Sequence, residues 1–90
     1  ALALAQLAAQ LAPNDGQVLA LLGSLYLQGN QVDRALPLLE RARSLRPNDA
    51  RVLFALGSAH LQNDSPQLAS TYLEQGLRIE ANNASALFDL

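Results

Sequence analysis

The sequence has no cysteine and a single histidine, and those two shortages remove most kinds of site chemistry. Without cysteine there is neither a disulfide framework nor a thiolate metal site, and the compartment stays open because such a chain suits any redox environment. One histidine and eight carboxylates scattered through turns and helix surfaces show no metal-ligand or catalytic-triad spacing. No cofactor and no enzymatic activity are therefore expected. A net charge of -2 gives no long-range pull toward nucleic acid or anionic lipid. No apolar run approaches the roughly 18 residues that would span a bilayer, so no membrane insertion is expected. The apolar opening, Ala1 to Ala12, lacks the basic start of a signal peptide and reads as a helix.

What is present is a repeat. Gly16 to Asp49 is followed by Ala50 to Asn83 at a constant 34-residue offset, with identities that include Leu19/Leu53, Leu22/Leu56, Gly23/Gly57 and Ala35/Ala69. A period of that size means one supersecondary unit stacked on copies of itself. The register continues outward, since Ala1 to Asp15 matches Ala35 to Asp49 and Ala84 to Leu90 matches Ala50 to Leu56. The expectation is one array segment over residues 1–90. It divides into a trailing helix (1–15), full repeats (16–49 and 50–83) and the start of another helix (84–90), cut from a longer array. Half the residues are hydrophobic and 16% are charged, which suits one soluble domain.

Helix-forming composition over Ala1 to Ala12 places Ala1, Ala5, Ala8 and Ala12 on one stripe flanked by Leu4 and Leu11. Pro13-Asn14-Asp15 stops that helix, because proline disfavours helical dihedrals before it and has no N–H to donate; Asp15 then caps the next one. Pro47-Asn48-Asp49 repeats this punctuation, and Ala81-Asn82-Asn83 repeats it without the proline, which predicts a less sharply fixed turn there. Helix A of the first unit is expected over Gly16 to Gln28 with Leu19, Leu22 and Tyr26 inward. A turn at Gly29-Asn30 leads to helix B from Val32 to Leu45, presenting Ala35, Leu39 and Ala42. Pro37 is expected inside helix B, bending it without ending it. The second unit places Leu53, Leu56, Gly57 and His60 on helix A, turns at Asn63-Asp64, and starts helix B with Ser65 as cap and Pro66 in the first turn. Ala69, Leu73 and Gly76 face inward from it.

Leu19, Leu22-Gly23, Tyr26, Ala35, Ala42 and Pro47, with Leu53, Leu56-Gly57 and Ala69 after them, resemble the signature of the tetratricopeptide repeat family. The second unit departs at His60, Gly76 and Ala81, where the family prefers Tyr, Ala and Pro, and these departures are expected to weaken it. The resemblance implies an all-α fold, an alpha-alpha superhelix of antiparallel helix-turn-helix repeats, with helix A lining a concave groove. It also implies a partner-binding surface built from Gln17, Ala20, Ser24 and Leu27, then Arg51, Phe54, Ser58 and Leu61, then Ser85 and Phe88. Family members that clamp a peptide carboxylate use Lys, Arg and Asn there. This sequence has Ala20, Ser24, Phe54 and Ser58, so no such clamp is expected. Phe54 and Phe88 stand one repeat apart and could form an apolar ladder for a peptide or amphipathic helix, with Arg51 the only cation. The alternative is that both rings pack between repeats.

Other candidates read more simply. His60 replaces Tyr26 and is expected to be a half-buried packing residue with one hydrogen bond. Ser24 and Ser58 have no base beside them, so they are groove positions and not nucleophiles. Arg34, Arg41, Arg43, Arg46 and Arg51 cluster in sequence but diverge around helix B, with Asp33 and Glu40 beside the first two. A solvated, salt-bridged face fits them better than a nucleic-acid site. Three functions remain open at this point. They are a non-enzymatic module binding an apolar or amphipathic protein segment, a self-assembly segment with weak head-to-tail contact through Leu4 and Leu11 at one end and Leu87, Phe88 and Leu90 at the other, and an accessory array of a larger enzyme or polysaccharide-export machine.

Overall fold

Each Pro-Asn-Asp turn and each Gly or Asn turn ends one helix and starts another, and the chain folds accordingly. A computed structural model describes residues 2–88, with side chains over 2–82. Its helices are α1 (Leu2–Leu11), α2 (Gly16–Gln28), α3 (Val32–Leu45), α4 (Ala50–Gln62) and α5 (Pro66–Phe88), with no strand among the described residues. The fold is all-α, a helical repeat array.

The turns repeat one capping pattern. Asp15 accepts from the N–H groups of Gln17 and Val18, and Asp49 accepts from that of Arg51, so both act as N-caps. Before each cap the chain closes in the same way, Ala12 N–H to the Ala8 carbonyl and Arg46 N–H to that of Ala42, both at 2.8 Å. Asn30 (φ 60°) and Asp64 (φ 57°) take the left-handed conformation after α2 and α4. The following amides, Gln31 and Ser65, then reach back to the carbonyls of Tyr26 and His60 at 2.8 Å. That is a Schellman closure, with an amide-bearing or acidic side chain where glycine is commonest.

The helices of each unit cross closely because glycine removes a Cβ at the crossing. A Cβ built on Gly23 would lie 2.7 Å from Leu39 Cγ, and one built on Gly57 would lie 2.7 Å from Leu73 Cγ. Ala35, Leu39, Ala42, Leu53, Leu56 and Ala69 are completely or almost completely buried around those crossings. Successive helices pack on one another, and α2 also packs on α4, whereas the backbones of α1, α3 and α5 stand apart. Close inner helices and splayed outer ones make a curved stack with α2 and α4 on the concave side. Pro37 lies inside α3, as expected, on its exposed face.

Two features depart from the sequence reading. α5 runs without a break from Pro66 to Phe88, straight through Ala81-Asn82-Asn83. Ala81 has the N–H that proline lacks and no ring to clash, so the residue that stops the helix in the two earlier turns is gone, while Asn83 keeps only the capping side chain. In α1, Ala5 is buried and packs toward α2 with Leu2 and Ala9, instead of sharing the outward face of Leu4 and Leu11, which are 73% and 78% exposed as expected, with Leu7 beside them. Ala1 and the side chains of Leu87, Phe88 and Leu90 lie outside the described residues. No helix among the described residues is long and apolar enough to cross a membrane.

Candidate partner-binding groove

Residues three and four apart on a helix share a face, so a groove beside α2 is built from Gln17, Ala20 and Ser24 and continued by the start of α4. The structure brings these three together with Arg51 around a hollow of about 380 Å³ between α2 and α4. Leu21, Asp49 and Val52 complete its lining. Ala20 and Ser24 are small, so the floor lies close to the backbone, and Leu21 supplies an exposed apolar wall.

Arg51 is held at the mouth of this hollow. Its side-chain Nε stands 3.6 Å from Asp49 Oδ1, and Arg46 Nε approaches the other oxygen of that carboxylate at 3.1 Å. Burial pushes the Asp49 carboxyl up, but the Arg51 N–H and the two guanidinium groups outweigh it and hold it below its ordinary value of 3.8. The cap that starts α4 is thus also the anchor of the groove's cation. The other arginines distribute around α3: Arg41 donates to Asn14 Oδ1 at 2.7 Å, and Arg43 lies 3.6 Å from Glu40. Glu40 therefore meets Arg43, not Arg41.

The remaining groove positions divide. Leu27 was expected to line the groove, but it is 7% exposed and belongs to the core, because α4 packs over it and Gln62 Nε2 donates to its carbonyl at 3.5 Å. Leu61, one repeat on, is 54% exposed. Ser58 is exposed and Phe54 half-buried. The Phe54 ring rests on Gly76 of α5, so it packs within its own unit, helix A on helix B. Ser85 and Phe88 lie outside the residues whose side chains are described.

His60 is 9% exposed and stacks on Tyr72, with ring centroids 5.4 Å apart and 9° between the planes. The hydrogen bond expected for it is absent, since neither ring nitrogen has a partner among the described residues, and Glu40 Oε1 is 3.9 Å from Nε2. Tyr72 takes that carboxylate instead, its hydroxyl donating to Oε1 at 3.5 Å. This aromatic pair was not read from the sequence. The signal was there in the register, where Tyr26 and Leu38 become His60 and Tyr72.

A curved stack of paired antiparallel helices with a small-residue groove on its inner side defines a solenoid interaction scaffold. The chain belongs to the tetratricopeptide repeat family, whose model matches residues 1–52 and again residues 30–90. No curated protein matches it. Repeats of this family mediate protein–protein interaction and are non-catalytic.

Proposed function

We propose that the chain is a non-enzymatic interaction module that holds an apolar or amphipathic segment of a protein partner in the groove between α2 and α4, with repeat units at 16–49 and 50–83. One observation carries this: Gln17, Ala20, Ser24 and Arg51 converge on a single hollow walled by Leu21. Small side chains at Ala20 and Ser24 admit a partner side chain close to the helix backbones. Leu21 and the outer part of Phe54 offer apolar area, and Arg51, fixed by Asp49, offers one cation for an acidic residue at the segment's edge.

A photo-crosslinking residue placed at Ser24, and separately at Ser58, tests this reading. Adducts to one partner are expected from both sites. Ser24→Arg fills the hollow and is expected to abolish the Ser58 adduct while the helical circular dichroism signal persists. The reading is falsified if the adduct survives Ser24→Arg unchanged.

Self-association is a second reading, favoured by the exposed Leu4, Leu7 and Leu11 on α1. Sedimentation over a range of concentrations decides it. Assembly that Leu4→Glu reduces supports the reading, and a monomer throughout removes it.

A further inference from the structure

Arg46, just past the end of α3, lays its stem across the first residue of α2, where a Cβ built on Gly16 would stand 2.6 Å from its Cγ and 2.8 Å from its Cδ. Gly16 supplies that room, and Ala50 holds the same register position one unit on. From this seat Arg46 Nε donates to Asp49 Oδ2 at 3.1 Å. The other oxygen, Oδ1, accepts the Arg51 N–H at 3.0 Å and lies 3.6 Å from the Arg51 Nε. The Arg51 side chain is 77% exposed and Asp49 is its one ion-pair partner among the described residues, so this carboxylate decides where the guanidinium is held. Capping does not need Arg46. In the first unit Asp15 caps α2 with Ala12 in the place of Arg46 and Gln17 in the place of Arg51.

We propose that Arg46 is a positioning residue for the groove, which it does not itself line: it keeps the Arg51 guanidinium available to an acidic residue of the partner. A carboxylate beside an arginine tends to close on it with both oxygens, because the planar fork of donors matches that geometry. Here Arg46 holds Oδ2, so Asp49 has one oxygen for Arg51, and that oxygen already accepts the Arg51 N–H. The fork stays open and its donors are left for a second carboxylate. Glu80 of α5, which lines a neighbouring hollow with these residues, does not take them, since it pairs with neither arginine among the described residues. This role rests on the groove between α2 and α4 being the partner's seat. There it sets a preference for a segment carrying Asp or Glu over the same segment carrying Asn or Gln.

An NMR titration of the chain with N-acetyl-Leu-Leu-Glu-amide and with N-acetyl-Leu-Leu-Gln-amide tests the proposal, read at the amides of Gln17, Ser24 and Arg51 and at the side-chain Nε–H of Arg51. The acidic peptide is expected to bind about two- to fivefold more tightly, the size of an exposed ion pair. Arg46→Leu is expected to remove that preference and to raise the heteronuclear NOE of the Arg51 Nε–H, as the fork closes on Asp49. Gly16→Ala pushes the arginine stem aside and serves if the first substitution disturbs folding. Asp49→Asn keeps a capping side chain but removes the charge, so in that background Arg46→Leu is expected to leave the preference unchanged. A preference that survives the loss of Arg46, or one that falls equally with and without Asp49→Asn, overturns the proposal while the groove reading stands. Shifts at Gln17 and Ser24 from neither peptide remove the groove reading and the role of Arg46 together.

Discussion

The ring of Phe54 lies on the backbone of Gly76, so that a Cβ built on the glycine would stand 2.7 Å from Cε1 and 2.9 Å from Cδ1. The first unit has alanine at both corresponding positions, Ala20 and Ala42. A large residue on helix A is thus matched by the loss of a methyl on helix B. Gly76, which by sequence is a weakening departure from the family pattern, is the space the ring occupies. Gly76→Ala gains about 1 kcal/mol of helix propensity but overpacks the ring, which costs about 1–3 kcal/mol. The expected net effect in the native background is destabilisation, and in a Phe54→Ala background it is stabilisation. Urea unfolding of the two singles and the double reads the sign, and the same sign in both backgrounds would separate the two residues.

Pro37 interrupts the bonding of α3 on its exposed face, where the Asp33 carbonyl loses its helical donor. The interior penalty for proline is about 3 kcal/mol, partly relieved here because the free carbonyl can meet water. Pro37→Ala is expected to raise the melting temperature and the urea midpoint. A lower midpoint would mean that the bend itself is needed for packing.

Asp49 links the cap of α4 to the groove's cation, and its carboxyl is held below 3.8. Below that value the unfolded chain binds the proton more readily than the folded one, so stability rises with pH through this window. The carboxylate's contribution is fully present above the ordinary value and is lost as pH falls through the folded-state value. Asp49→Ala is expected to cost about 1 kcal/mol near neutral pH, the size of a lost N-cap, and to flatten the acid limb of stability against pH. An unaltered acid limb would place the titrating group elsewhere.

Leu27 and Leu61 hold the same register position, yet one is buried under α4 and the other is exposed. Leu27→Ala is expected to cost about 2–5 kcal/mol, as a core truncation does, and Leu61→Ala less than about 0.5 kcal/mol. Equal costs, measured by denaturant unfolding, would show that register alone sets the role.

That pair also marks how far the sequence could be read. The Pro-Asn-Asp turns, the Leu-Gly crossings and the ends of α2, α3 and α4 follow from local chemistry: a missing N–H, a capping carboxylate, an absent Cβ. Helical periodicity puts Gln17, Ala20 and Ser24 on one flank of α2, and the family resemblance joins Arg51 of α4 to them. Periodicity fixes a face relative to its own helix axis, but whether that face is covered depends on the neighbour packed there. For this reason periodicity puts Leu27 in the groove, and puts Ala5 on one outward stripe with Leu4 and Leu11, although Ala5 is buried toward α2. The run of α5 through Ala81-Asn82-Asn83 was hidden for a different reason: the register kept the turn's place and its Asn residues, while the proline that stops the helix was gone.

The last prediction concerns the exchange of Tyr26 and Leu38 for His60 and Tyr72. In the first unit the long ring sits on helix A, where the Tyr26 hydroxyl accepts from Gln6 Nε2 at 2.9 Å. In the second unit helix A carries the shorter His60, and Tyr72 on helix B reaches the carboxylate of Glu40, which occupies the register position of Gln6. One phenol per gap spans to the preceding outer helix, and the two helices take turns in supplying it. His60→Tyr alone puts two phenols in one gap and is expected to cost about 1–3 kcal/mol by overpacking. Tyr72→Leu alone leaves neither and exposes the face of His60, with a loss of the stacking worth about 0.5–1.5 kcal/mol beyond the buried area. The double substitution restores the arrangement of the first unit, so its cost is expected to fall below the sum of the singles by about 1–3 kcal/mol. Urea unfolding of the four chains measures that coupling. Costs that add to within about 0.5 kcal/mol would mean that the two positions vary independently, and that the stack of His60 on Tyr72 does not hold α4 and α5 together.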